Sequence, residues 1–285
     1  MNVRQRRISR RSIAIAALVA GTVSLAIGAH AALNMRALDA AKAVATEQST
    51  DAARKVSRLA LVIGNGHYPD ANAPLTQPIN DARALSDALR HNGFDVDMLE
   101  DATRDDISRA VERLKSKIRP ESVVMLFFGG YGIQSGRESY MIPVDATIWK
   151  ERDVRNSGVS IESVLDVMKE QGARAKIAVI DASRRNPYER RFRAFSHGLA
   201  PITAPDNALV LSSATPGKVA EDSTGDDSVL VSELLTHLNT QSVTGAEAVF
   251  NKTRIAISRA TDGEQVPSVS SSLLEDVRFG DNAGS

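Results

Sequence analysis

The stretch KIAVIDASRRNP, residues 176–187, combines a buried strand with an abrupt polar turn. Residues 177–180 are all apolar, which is typical of a central parallel strand that is covered on both faces. Asp181 and Ser183 follow where this strand ends. Because ligands and catalytic groups gather at the carboxyl ends of strands in open α/β sheets, we expect one side of a functional site here.

A second stretch, residues 122–128 (SVVMLFF), repeats this pattern. It runs into a turn in which Gly129, Gly130 and Gly132 surround Tyr131. Three glycines around one tyrosine predict a tight turn whose backbone comes close to another group. We predict that the ends of the two strands bring Tyr131 and Ser183 into one candidate site.

Strands and helices alternate along the chain, which predicts an α/β fold with a parallel sheet and right-handed crossovers. The apolar runs predict strands at residues 59–64, 94–99, 122–128, 177–180 and 208–212, and a small hairpin at 140–143. Helical spacing predicts helices over residues 81–92, 103–118, 160–168, 228–238 and 246–260. Thr103, Ser160 and Ser228 are the expected N-caps of three of these helices.

Several motifs, in this order, resemble those of the caspase-like cysteine peptidases, in particular the bacterial metacaspase-type branch. They are LVIGN (61–65), NDAR (80–83), YMIPVDA (140–146), DASRRNP (181–187) and QVP (265–267). The resemblance implies a caspase-like domain over residues 58–285. Its fold would be a three-layer sandwich with a mostly parallel central sheet and helices on both faces.

The resemblance also implies roles for single residues. In that family one strand ends in a Gly-His-Gly turn and the next in Asp-x-Cys-Arg, and the His and Cys form the catalytic dyad. Tyr131 stands where the family has His, and Ser183 stands where it has Cys. Asp81 and Asp181 match acids that line the family's pocket for a basic side chain of the substrate. A basic peptide or protein, carrying Arg or Lys, is therefore the expected partner.

Composition limits the chemistry. The chain has 285 residues, a net charge of zero and no cysteine. Without cysteine there is no disulfide, no Cys-based metal site and no thiol nucleophile. The balanced charge gives no reason to expect a nucleic acid partner. We expect no cofactor and no bound metal.

The two dyad positions lack the family chemistry, which needs a thiol and a His that moves protons. A tyrosine with a pKa of about 10 is only about one thousandth phenolate at pH 7, and a serine hydroxyl depends wholly on a base. Losing one triad member costs hydrolases about 10⁴ to 10⁶ in rate. We therefore expect a catalytically inactive pseudopeptidase, in which Ser183 fills a Cys-sized space and Tyr131 plugs the His pocket.

Other functions stay open on the sequence alone. Ser183 would support an active peptidase or hydrolase if His67 or His197 acted as its base. A closed cleft would leave a structural scaffold associated with the cell envelope. Asp81 and Asp181 have structural interpretations too, as an acid in the first turn of a helix and as a strand-end turn residue.

One acidic loop suggests a metal but does not match a known motif. Asp222, Asp226 and Asp227 lie in a Gly/Ser/Asp-rich segment. Calcium binding is conceivable, but the ligand spacing of the known calcium loop is absent, so we favour a solvated surface loop.

The N-terminal segment predicts export. Five arginines lie within residues 1–11, and no Asp, Glu, Lys or Arg occurs in residues 12–35. Residues 1–35 therefore form either a signal peptide, with Ala29 and Ala31 before the cleavage point, or a membrane anchor. Arg10 and Arg11 partly resemble a twin-arginine signal. We expect a linker at residues 36–57, a domain in the periplasm or anchored facing it, and no other membrane contact. The oligomeric state stays open.

Overall fold

A six-stranded sheet forms the centre of this computed structural model, which describes residues 56–69, 74–184, 187–188, 198–220, 225–240 and 245–280. A three-stranded sheet accompanies it. The strands in the described residues are β1 (Arg58–Gly64), β2 (Asp95–Glu100), β3 (Val123–Gly129), β4 (Gly132–Ser135), β5 (Glu138–Met141), β6 (Val159–Ser160), β7 (Ala175–Asp181), β8 (Ala208–Ser212) and β9 (Ser268–Ser271).

The central sheet is parallel except at one edge. Its order is β2-β1-β3-β7-β8-β9, in which the first five strands run parallel and β9 pairs antiparallel with β8. Every residue of β3, β7 and β8 is buried, as the continuous apolar runs predict. The small sheet, β4-β5-β6, is antiparallel.

Helices cover both faces of the central sheet. They are α1 (Gln77–His91), α2 (Arg104–Lys117), α3 (Glu151–Ser157), α4 (Ile161–Glu170), α5 (Val229–Thr240) and α6 (Ala246–Ala260). Successive strand residues point to opposite faces. One face packs on α1, α5 and α6, and the other packs on α2 and α4. The predicted α/β fold, a three-layer sandwich with a mostly parallel sheet, is confirmed.

Most predicted helix boundaries agree with the structure. The hydroxyl oxygen of Thr103 accepts a hydrogen bond from the N–H of Asp106, and the Asp106 carboxylate accepts one from the N–H of Thr103. Ser160 and Ser228 accept in the same way from residues three positions further on. The three predicted N-caps are confirmed.

The prediction for the start of α1 is wrong, and so is the first-turn interpretation of Asp81. The helix begins at Gln77 rather than at residue 81, because Pro78 is tolerated in a first helical turn, where its missing N–H has no intrahelical partner. Asp81 therefore lies in the second turn, and the first turn holds no acid. Its burial needs another explanation.

The predicted N-terminal signal or anchor, residues 1–35, lies outside the described residues, as does most of the linker at 36–57. Within the part of the chain that the structure describes, no helix is both long and apolar enough to cross a bilayer.

We expect the packing of α6 on the sheet to depend on one face of the helix. Ile257 is fully buried, whereas Ile255 on the same helix is 45% exposed. Ile257→Ala should lower the free energy of unfolding by about 2–5 kcal/mol, because it leaves a cavity in the core. The matched variant Ile255→Ala should stay within about 0.5 kcal/mol of the wild type. Chemical denaturation measures both, and equal losses would contradict this packing.

Candidate functional site

The candidate site lies where β3 and β7 end side by side. The two strands are parallel neighbours whose last residues pair in register. The N–H of Gly130 donates to the carbonyl of Asp181 at 3.2 Å, and the N–H of Gly132 donates to the carbonyl of Ala182 at 3.0 Å. The structure thus ties the turn that carries Tyr131 to the segment that carries Ser183, as the sequence predicts.

Tyr68 fixes the conformation of this turn. Its ring meets that of Tyr131 edge-on, with centroids 4.8 Å apart. Its hydroxyl donates to the carbonyl of Ile142 at 2.9 Å and accepts from the N–H of Tyr131 at 3.1 Å. Gly130 has a φ of +151°, and a Cβ there would lie 2.6 Å from the Tyr68 hydroxyl oxygen. Only glycine therefore fits beside Tyr68.

Tyr131 is poorly suited to act as a base. Burial raises its pKa, and the nearby positive charge of Arg184 offsets only part of that effect. Since the pKa of an ordinary tyrosine is already about 10, the phenol stays protonated at neutral pH. Tyr131 can donate a hydrogen bond, but it cannot take a proton from Ser183.

Ser183 is closed off from solvent. Only 1% of its surface is exposed, and its backbone carbonyl accepts a hydrogen bond of 2.7 Å from the N–H of Ala220. The segment near Ala220 therefore holds the backbone of Ser183 in place. A buried hydroxyl of this kind fits the predicted space-filling role.

His67 pairs with Asp101 rather than with Ser183. The Nδ1 atom of His67 lies 2.6 Å from a carboxylate oxygen of Asp101, which follows the edge strand β2. Ser183 follows β7, on the opposite side of β1 in the sheet. The other histidine considered as a base, His197, lies outside the described residues.

Asp81 and Asp181 form a buried acidic pair at this edge. Asp81 is fully buried, and Asp181 is 3% exposed. One carboxylate oxygen of Asp81 accepts a hydrogen bond of 2.8 Å from the N–H of Ser228. The other, Oδ2, has no hydrogen-bond partner among the described residues, and neither does Oδ2 of Asp181.

The two carboxyl groups interact through their charges. Burial raises the pKa of Asp81 to about 8, the negative charges of Asp181 and Asp227 add to the effect, and the hydrogen bonds from Ser228 oppose it. Asp81 therefore holds a proton over much of the neutral range. The structure brings together the two acids that the sequence singled out.

A basic side chain from the same segment contacts Asp181, one member of this pair. The Nη2 atom of Arg184 lies 3.6 Å from Oδ2 of Asp181, and both side chains are almost completely buried, at 6% and 4% exposure. Sequence reasoning missed this contact, although Arg184 stands three residues after Asp181 in the quoted motif. The direction of a side chain beyond a strand end has no periodic signal in the sequence.

Helix α1 anchors the loop that precedes α5. Its Gln77 side chain donates to the carbonyl of Gly225 at 3.0 Å, and its Asn80 side chain donates to the carbonyl of Asp226 at 3.0 Å. With the bond to Asp81, three side chains of α1 hold this loop against the site. The sequence predicted Ser228 only as a helix cap and missed its bond to Asp81.

The suggested calcium loop is only partly described. Asp222 lies outside the described residues, and the side chain of Asp226 is exposed. In the part of the chain that the structure describes, no group of three or more acidic or histidine side chains could hold a metal ion.

Comparison with known proteins identifies the class of protein. The profile of the caspase domain matches residues 57–278. The chain therefore belongs to the caspase domain family, as its motifs and fold indicate.

Two curated proteins share part of this domain. The chain is 28% identical over 145 residues to mucosa-associated lymphoid tissue lymphoma translocation protein 1 of Homo sapiens, which covers 50% of the chain and 17% of the human protein. It is 28% identical over 134 residues to the Mus musculus homolog, covering 46% of the chain and 16% of that protein. The similarity thus spans about a sixth of each relative's length.

We expect the stability of the protein to fall as the pH rises from about 4 to about 8 because of Asp81. Its pKa is higher in the folded state than in the unfolded chain, where it is about 3.9. The stabilisation from protonated Asp81 is therefore complete at acidic pH and is lost as the pH rises towards about 8. In Asp81→Asn this loss is absent, so the variant should gain about 1 kcal/mol or more relative to the wild type between pH 5 and pH 9.

Urea denaturation at several pH values measures this difference. Asp226→Asn removes an exposed carboxylate from the neighbouring loop and controls for a general change in net charge. Parallel curves for the wild type and Asp81→Asn across this range would contradict the assignment.

Proposed function

We propose that this caspase domain protein is a pseudopeptidase that binds a basic segment of a partner without cleaving it. The observation that carries the proposal is the buried pair of Asp81 and Asp181, each with a carboxylate oxygen that lacks a hydrogen-bond partner among the described residues. A guanidinium group has five N–H donors in a planar fork and can supply such oxygens with paired hydrogen bonds. An arginine side chain is therefore the favoured ligand.

The absence of turnover follows from the neighbouring groups. The chain has no cysteine, so the nucleophile would have to be a hydroxyl. Ser183 is buried, Tyr131 has a raised pKa, and His67 pairs with Asp101 on the far side of β1. These features support peptide binding over an active Ser183-dependent hydrolase, because a serine hydroxyl needs a base within hydrogen-bond reach.

A structural scaffold is the second candidate. It is supported by the contact between Arg184 and Asp181, which partly satisfies the acidic pair without any partner. We also propose, from the basic and then uncharged sequence of residues 1–35, that the domain acts outside the cytoplasm.

We expect the full chain to bind a short peptide amide ending in arginine more tightly than the same peptide ending in citrulline. Citrulline has the same shape as arginine but carries no charge, so it isolates the contribution of the guanidinium. Isothermal titration should show a difference of about tenfold or more, or about 1.4 kcal/mol. Asp181→Asn should remove this difference, because the charged acceptor is lost.

Asp226→Asn is the matched control, since its carboxylate is exposed on the loop beside the site. It should retain the preference for arginine. If the wild type binds neither peptide, or binds both equally, a scaffold function is favoured over peptide binding.

A further inference from the structure

Arg184 contacts Asp181, one of the two acids that the proposed function assigns to an incoming basic side chain. It follows β7, and its side chain turns back so that Nη2 is 3.6 Å from Oδ2 of Asp181. The same guanidinium acts electrostatically on Tyr131, in the turn after β3, and on Tyr68, which follows β1 and packs against Tyr131. Its charge is therefore near both Asp181 and the turn that carries Tyr131.

We expect the acidic pair to bind only one cation strongly. Asp81 and Asp181 are both buried, so a second guanidinium beside Arg184 would experience repulsion at low dielectric with little solvent to screen it. The side chain of Arg184 is itself only 6% exposed. An external cation and Arg184 therefore compete for the same place.

The contact of Arg184 with Asp181 is suited to displacement. A separation of 3.6 Å is longer than a hydrogen bond between nitrogen and oxygen, which spans 2.7–3.2 Å. The Oδ2 atoms of both acids have no hydrogen-bond partner among the described residues. A ligand that approaches the Asp181 carboxylate directly would gain charge-assisted hydrogen bonds that Arg184 does not make with Asp181 Oδ2.

We propose that Arg184 is an internal ligand of the acidic pair, which a basic side chain of the partner must displace in order to bind. The proposal rests on the proposed peptide-binding function and deepens it, because it makes Arg184 an autoinhibitory residue. If Arg184 fills the site most of the time, the apparent affinity for a partner is reduced by the fraction of molecules in which the site is open. Binding is therefore weak until Arg184 moves.

The test compares Arg184→Gln with the wild type, both as the full chain. The probes are benzamidine, a small planar cation that resembles a guanidinium, and the arginine-ending peptide amide. We expect Arg184→Gln to bind both probes about tenfold or more tightly than the wild type, because the internal competitor is removed. The double variant Asp181→Asn with Arg184→Gln should lose this gain.

The matched control is Arg83→Gln. Arg83 lies on α1, is exposed, and pairs with Glu100 at 2.6 Å. Its replacement removes one positive charge without opening the acidic site, so affinity for both probes should stay within about twofold of the wild type.

The outcomes separate this proposal from the peptide-binding function. If the wild type and Arg184→Gln bind the arginine peptide equally well, the peptide-binding function stands and the internal-ligand proposal is wrong. If Arg184→Gln gains affinity for benzamidine but not for the peptide, Arg184 is an internal ligand and the peptide-binding function is wrong. If no variant binds either probe, both are wrong.

A second measurement on the wild type keeps the proposal testable if Arg184→Gln does not fold. The guanidinium protons of a buried, ion-paired arginine exchange slowly with solvent and are resolved by nitrogen-15 NMR. Saturating benzamidine should speed the exchange of the Arg184 protons, because the side chain leaves the acidic pair. Unchanged exchange at a concentration of benzamidine that occupies the site would overturn the proposal.

Discussion

The parallel pairing of β3 with β7 is the constraint on which the site depends. It aligns the ends of two fully buried strands, and the hydrogen bonds beyond the last residues carry this alignment into the turn at Gly130 and the segment at Asp181. Because both strands are covered by helices on both faces, their ends have little freedom to move. The position of Tyr131 relative to Ser183 is thus set by the sheet, and the chemistry at the two positions can change while the geometry is kept.

Burial of three ionisable side chains at this edge is costly and points to a retained function. Removing a carboxylate or a guanidinium from water costs several kcal/mol, which a buried ion pair recovers only with good geometry. The Nη2 atom of Arg184 lies 3.6 Å from Oδ2 of Asp181, which is too long for good hydrogen-bond geometry. Burial also raises the pKa of Asp81. A core built only for stability would gain from apolar residues here. We propose that the acids are kept as a binding site that Arg184 occupies.

The sequence predicted the layers of the fold better than the contacts of the site. Continuous apolar runs located the central strands, and α6 spans the predicted residues 246–260, because burial leaves a periodic pattern. The short, serine-rich strand β9 has no such pattern and was missed, as was α3. The start of α1 was predicted at residue 81 instead of Gln77, because Pro78 lies in the first turn of the helix. The contact of Arg184 with Asp181 depends on side-chain direction after a strand end, which no spacing encodes.

The central claim is that this caspase domain binds basic peptides but does not cleave them, and mass spectrometry of a peptide mixture tests it most directly. The full chain would be incubated for a day with peptides that contain arginine and lysine at internal positions, beside Ser183→Ala as the control. The account predicts that every peptide stays intact with both proteins. Cleavage products that form with the wild type and disappear with Ser183→Ala would contradict it.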